Sequence, residues 1–197
     1  MNTKKTDRRV KYTKMVIRES FVKILKQKPI SKISIKEICE DADINRATFY
    51  AHYTDQYDLL KQIENELIDG INQYLAPYNF RKEKDAPVEM IIKILEFVQE
   101  NSVLFDLLLN SNGDINFQKE VTNLIGRQHF YSYDDKAMLR SEDDEYIFLF
   151  FANGCLGVIQ KWLADGGKKP IEEVARLILQ LSINGSAAFD WQSGHSR

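Results

Sequence analysis

Apolar residues along this chain recur at intervals of three and four nearly throughout, and no stretch alternates as a half-buried strand does, so an all-α fold is expected. Ile17, Phe21, Ile24 and Leu25 form the inner stripe of a first helix that should start near Tyr12 and stop before Pro29. Ser34 is a good N-cap with Glu37 as its capping-box partner three residues on, which predicts a short helix over 35–42. The run Asp41–Ala42–Asp43–Ile44 breaks the pattern, and Asn45 can cap another helix. The apolar residues of that helix, Ala47, Phe49, Tyr50 and Tyr53, cannot all face one core, so one face looks outward. Asp55 caps a long helix carrying Leu59, Leu60, Ile63, Leu67, Ile71 and Tyr74, which Pro77 ends. After a charged loop, Pro87 opens a helix with Met90, Ile91, Ile94, Leu95 and Val98 inside, and Ser102 begins a short apolar one through Leu109. Further helices are predicted over about 116–130, over 144–164 with Gly166 and Gly167 as the stop, and from Pro170 to about Ala188.

The segment 34–53 therefore has the spacing of a helix-turn-helix, a common local pattern whose meaning depends on its surroundings. Its outward set would include Arg46, Thr48, Tyr50 and His52, which can donate hydrogen bonds to phosphates or base edges from a helix in a major groove. Charge strengthens that reading. Residues 1–28 hold ten Lys or Arg against two acids, net +8, and residues 1–61 hold 14 against 8, net +6; residues 62–197 hold 13 against 21, net −8. The whole-chain value of −2 conceals a basic head on an acidic body, which suits one end meeting a polyanion while repulsion keeps the rest away. The plainer alternative is a solvated basic helix face.

Composition removes other classes. At 197 residues and 44% apolar the chain can bury a substantial core in one domain or two. No run of 18 uncharged apolar residues and no apolar leader occurs, so neither a membrane span nor a signal peptide is expected and a cytoplasmic location is. Cys39 and Cys155 are too few for a disulfide framework or a zinc site, and His52, His129 and His195 lie far apart, so no metal and no cofactor is expected. A glycine-rich phosphate loop and a recognisable nucleophile and base pair are both missing, which argues against an enzyme. Phe49 is better read as a core anchor than as a base-stacking group. Gly154 and Gly157 inside an apolar helix each cost on the order of 1 kcal/mol against Ala, and close approach of another helix would compensate.

The run ISIKEICEDADINRATFYAHYTDQYDLL resembles the N-terminal domain of the TetR/AcrR family of bacterial transcriptional regulators, and the similarity extends back through VIRESFVKILKQKP to cover about residues 10–62. Within that family FYAHYTDQYDLL is most similar to the branch that includes activators of dihydroxyacetone kinase operons. The resemblance implies a three-helix DNA-binding domain over 1–54 and a helical effector-binding and dimerisation domain over 55–197. It implies a homodimer on a palindromic operator of double-stranded DNA, controlled by a small-molecule effector, with no membrane partner. Carried over by position, Ser34 stands where the family meets a phosphate at the start of the second helix, Asn45, Arg46, Ala47 and Thr48 match the first turn of the recognition helix, and Tyr50 and His52 match its groove- and phosphate-facing positions. Lys36 and an N-terminal arm with Lys4, Lys5, Arg8 and Arg9 would add phosphate contacts, the arm reaching the adjacent minor groove. Two positions depart from the pattern: Asp43 replaces the common turn Gly, and Gln56 stands where many members place a phosphate-binding Lys. Candidate walls of an effector pocket, chosen for size and inward position, are Phe105, Leu108, Phe117, Phe130, Phe151, Cys155 and Trp162. The alternative function is a regulator of this fold that acts through a partner protein with little DNA or effector binding.

Overall fold

A computed structural model describes residues 3–77, 88–111, 115–130 and 142–187, and within these the side chains of 3–7, 111, 126–130, 142–144 and 183–187 lie outside the description. The described residues are helical without a strand, as the periodicity predicts. They form two compact units, Met1–Leu67 and Ile68–Arg197.

The first unit holds α1 (Thr3–Leu25), a 3₁₀ turn (Ile30–Lys32), α2 (Ile35–Asp41), α3 (Arg46–Tyr50) and the opening turns of α4 (Gln56–Leu75). Ile17, Phe21, Leu25, Ile38, Phe49, Leu59 and Ile63 are buried, which is the stripe expected of each helix brought to one core. Local signals set the helix starts. The Asp55 carboxylate accepts the N–H groups of Tyr57 and Asp58, both at 2.8 Å, while Asp58 accepts from the Thr54 N–H at 2.8 Å. Two of the donors that every helix leaves unmatched at its start are thereby satisfied by Asp55 alone.

One expectation is corrected here. α1 begins at Thr3 rather than near Tyr12, because the preceding residues, though without an apolar stripe, are free of Gly and Pro and rich in Lys and Arg, which hold a helix well.

The second unit holds the rest of α4, then α5 (Val88–Glu100), α6 (Ser102–Asp106), a π-turn (Leu107–Ser111), α7 (Ile115–Phe130), α8 (Glu142–Ala164) and α9 (Ile171–Ala187). α7 packs on α8, and α5 on α9. α6 begins at Ser102, as expected, with Asn101 at its N-cap. The apolar segment expected to end at Leu109 widens into the π-turn, whose Leu109 carbonyl accepts from the side-chain amides of Gln118 at 2.9 Å and Gln160 at 2.8 Å. A π-turn loosens the regular backbone pairing, and these two amides supply partners from α7 and α8.

An aromatic ladder crosses this unit, from Tyr74 to Phe97 (5.9 Å between ring centres), Phe97 to Phe105 (6.1 Å) and Phe105 to Phe117 (6.1 Å). Gly70 is its seat: a Cβ there would lie 2.2 Å from the tip of the Phe97 ring, so α4 admits that ring only because the side chain is absent. At the far end of α8, Gly166 (φ +73°) and Gly167 (φ +67°) make the turn into α9, a left-handed pair that other residues adopt at a cost. The Trp162 indole N–H donates to the Lys169 carbonyl at 2.9 Å and ties the turn down.

α8 is apolar on both sides. Phe151, Leu156, Trp162 and Leu163 are buried, while Tyr146 (72% exposed), Leu149 and Phe150 (74%) face outward. Its stretch Glu145–Ala164 is long and apolar enough by length and composition to cross a membrane, although only 28% of that window is buried within the chain. Within it Glu145 and Lys161 bound an uncharged run of fifteen residues, short of the 18 sought in the sequence.

Candidate nucleic-acid interface

The helix-turn-helix forms as its local chemistry directs. The Ser34 hydroxyl accepts the Glu37 N–H at 3.3 Å, and the Glu37 carboxylate takes the Ser34 N–H at 3.0 Å and its O–H at 2.9 Å, completing a capping box at the start of α2. Lys28 pairs with the same carboxylate. That ammonium, followed by the hydrogen bonds from Ser34, holds Glu37 at a pKa of about 2, below its ordinary 4.5. A depressed acid stabilises the fold fully above its unfolded pKa and loses that contribution as pH falls toward the folded one. Glu37→Gln is therefore expected to flatten the part of the acid-unfolding curve between about pH 4.5 and 2, read as the urea midpoint against pH. Wild type and variant with parallel curves there would remove Glu37 as a contributor.

The turn is held by Asp43, the one non-glycine residue with positive φ (+50°) among the described residues. The Ile44 N–H reaches back to the Cys39 carbonyl at 3.0 Å, the bond of a Schellman ending, which needs a left-handed residue just before Ile44. Aspartate tolerates that region better than most L-residues but not as freely as glycine. Asp43→Gly is accordingly expected to raise stability by up to about 1 kcal/mol, and Asp43→Val to lower it by at least about 1 kcal/mol, in urea titration. Equal stabilities for the three would mean that the turn carries no strain.

α3 then starts at Asn45, whose side-chain oxygen accepts the Thr48 N–H at 2.8 Å and the Thr48 O–H at 3.0 Å. Phe49 is wholly buried, with the Tyr53 ring 5.6 Å away and the Tyr50 ring edge-on at 5.7 Å. Tyr53 is buried in turn, with the Lys14 ammonium 5.8 Å above its ring, and burial pushes its hydroxyl pKa up. Anchoring Phe49 and Tyr53 inside turns Arg46, Ala47 and Tyr50 outward, all three exposed.

The neighbouring candidates differ in exposure and in the partners they already hold. Thr48 and His52 are half-buried, the Thr48 hydroxyl turned back onto Asn45 and the His52 ring 6.3 Å from Tyr53. Ser34 is exposed, with its hydroxyl engaged in the capping box, and Lys36 is exposed beside Glu40 at 3.6 Å. Lys4, Lys5, Arg8 and Arg9 lie on the first turns of α1, Arg8 and Arg9 exposed. These four residues thus stand on a helix and not on an extended arm, and a helix about 10–12 Å across is wider than a minor groove of about 6 Å. Tyr57, half exposed in the first turn of α4, lies outside the expected set; its position just after a capped start is the signal the sequence carries for it.

Of the residues chosen for a pocket, Phe105, Leu108, Phe117, Phe151 and Trp162 are buried and Cys155 is half-buried, 3.9 Å from the Ser182 hydroxyl. Burial pushes the Cys155 thiol pKa up. The Phe130 side chain lies outside the described residues. Phe105 and Phe117 touch each other as rungs of the ladder, whereas an open groove of roughly 540 Å³ lies elsewhere, along Gly154, Gly157, Val158, Trp162, Val174 and Leu177. Trp162 alone among the chosen residues borders it.

A family model described as a transcriptional regulator C-terminal region, of the TetR type, matches residues 85–184, just over half of the chain. Among curated proteins, the chain is 22% identical over 112 residues to the uncharacterized HTH-type transcriptional regulator YxbF of Bacillus subtilis, covering 53% of this chain and 28% of that protein. It is 25% identical over 121 residues to the HTH-type dhaKLM operon transcriptional activator DhaS of Lactococcus lactis, covering 60% and 61%. The match thus spans less than two thirds of either relative. Among solved structures, a TetR transcriptional regulator from Streptococcus agalactiae superposes with a TM-score of 0.65 at 20% identity, over 92% of this chain and 99% of that one. The dihydroxyacetone kinase operon activator DhaS gives 0.58 at 18% over 90% and 97%, and the fatty acid degradation regulator FadR of Bacillus halodurans gives 0.60 at 12% over 86% and 97%. At these identities the superpositions speak for the fold, and DhaS, found both by sequence and by structure, supports the branch read from FYAHYTDQYDLL. With a family model over its C-terminal half and the family's helical fold throughout, the chain belongs to the TetR family of transcriptional regulators.

Proposed function

We propose that this regulator binds a palindromic DNA operator as a homodimer, with its first unit reading the DNA and its second unit forming the dimer and accepting a small-molecule effector. The observation that carries the reading is α3: Phe49 anchored in the core sets Arg46, Ala47 and Tyr50 on one exposed face at the start of a capped helix. A guanidinium there suits bidentate pairing with a guanine edge or a phosphate, and the tyrosine hydroxyl suits a phosphate. Lys36 and the basic turns of α1 add affinity without sequence preference. A nuclease footprint of the purified protein on duplex DNA flanking its own gene tests this; the expected result is one protected palindrome with half-sites one helical turn apart. No protection at any concentration below that giving general DNA coating would favour the second reading, a regulator acting through a partner protein, for which Asp43 and Gln56 are the sequence support.

The dimer belongs to α8 and α9. Tyr146, Leu149, Phe150, Leu177 and Leu181 are exposed, and a Cβ on Gly154 or Gly157 would meet nothing within 4 Å, so the close approach that would explain glycine in mid-helix is not supplied by the described residues. A second copy supplies it, and accounts for the apolar length of α8 without a membrane. The effector belongs among the helices of the second unit, where it would act by binding one arrangement of the dimer more tightly than another. An operator target places the working protein in the cytoplasm.

A further inference from the structure

The outward residues of α8 are complementary to themselves when the helix is turned end for end. Tyr146, Leu149, Phe150 and Asn153 occupy its first half, and Gly154, Gly157, Val158 and Lys161 its second. About a two-fold axis crossing between Asn153 and Gly154, each residue of the first half meets one of the second. Phe150, three-quarters exposed, faces the bare backbone of Gly157; Leu149 faces Val158, Asn153 faces Gly154, and Tyr146 faces Lys161. Charge follows the same sense, since the helix opens with the sequence Glu142–Asp143–Asp144–Glu145, while its end carries Lys161, paired with Asp165 at 2.6 Å, with Lys168 and Lys169 beyond, Lys169 paired with Glu173 at 2.8 Å. A parallel pair would instead bring the acidic ends together.

The geometry points to an antiparallel α8–α8 seam centred at Asn153/Gly154, in which Phe150 of each copy fills the groove that Gly157 leaves open in the other. This rests on the homodimer reading above and commits it to one orientation and register. The groove is lined by Val158, Trp162, Val174 and Leu177 besides the two glycines, which offer apolar surface to one aromatic ring, and by the charged Lys161, Asp165, Lys168 and Lys169. Glycine at the crossing lets two helix axes approach toward the short end of the usual 8–10 Å. The interface is isologous, so each knob and each hole occurs twice and a single substitution is felt twice.

Two measurements test it. In sedimentation equilibrium the wild type should be dimeric at micromolar concentration, Gly157→Phe should weaken the dimer about tenfold or more, and Phe150→Ala/Gly157→Phe should recover about tenfold over Gly157→Phe alone. No atom of the described residues lies within 4 Å of a Cβ at position 157, so the added side chain starts in open space and helical content by circular dichroism should be unchanged in all of them. In a Cys155→Ser background, Asn153→Cys should form an intermolecular disulfide on mild oxidation. Tyr146→Cys should not, because in this register the two copies of position 146 lie about 22 Å apart along the seam. A monomeric wild type overturns the homodimer reading itself. A dimeric wild type without rescue by the swap, without the Asn153→Cys disulfide, or with a disulfide at Tyr146→Cys, overturns the register and leaves the homodimer standing.

Discussion

Phe49→Ala is expected to destabilise the N-terminal unit by about 3–5 kcal/mol, the usual range for removing a buried phenyl ring. Phe49 has no exposed surface, and it is the residue through which a five-residue helix is fixed to the rest of its unit. A helix so short is unstable alone, since nucleation is costly and only tertiary packing offsets it. The loss would be a large part of the 5–15 kcal/mol typical of a whole domain. Hydrogen exchange should show amide protection collapsing across α2 and α3, and DNA binding should fall with it. A loss below about 1 kcal/mol would mean that the surroundings close over the cavity and that the presentation of Arg46 does not depend on this anchor.

Arg46→Ala is expected to leave stability nearly unchanged and to weaken operator binding by about 1–3 kcal/mol, some 5- to 150-fold. The side chain is exposed at the first position of α3, so its removal opens no cavity. Arg46→Lys separates charge from geometry. A lysine keeps the charge but not the planar fork, so affinity carried by charge alone would survive the exchange and a bidentate contact, to a guanine edge or to a phosphate, would weaken. Fluorescence anisotropy against the operator and against single-base variants reads both quantities. An Arg46→Ala protein with wild-type affinity and wild-type base preference would show that the reading face lies elsewhere on the unit.

The legibility of this chain depended on how local the determining interaction was. The starts of α2, α3 and α4 rest on side chains reaching two or three residues along the backbone, from Ser34, Asn45 and Asp55, and such contacts are written out in the order of the residues. The same holds for the left-handed Asp43, where a missing turn glycine marked the place in advance. The start of α1 was misjudged because an apolar stripe served as the signal, and a polar, highly charged segment can be helical without one. The π-turn depends on Gln118 and Gln160 arriving from two other helices, which no local window contains. On α8 and α9 the apolar residues divide between two faces: Phe151 and Leu156 are buried, Leu177 and Leu181 are exposed, and the largest outward surfaces belong to Tyr146 and Phe150. Periodicity counts apolar residues but does not say which of two apolar faces the fold turns inward.

Gly70 gives the second unit an unusual kind of economy. Because the Phe97 ring sits where a side chain on α4 would be, the position of that ring and the spacing of two helices are a single variable. Tyr74, Phe105 and Phe117 extend the dependence through ring contacts of about 6 Å, close enough that none rotates far without its neighbour. Four aromatic side chains thus contribute something nearer one degree of freedom than four.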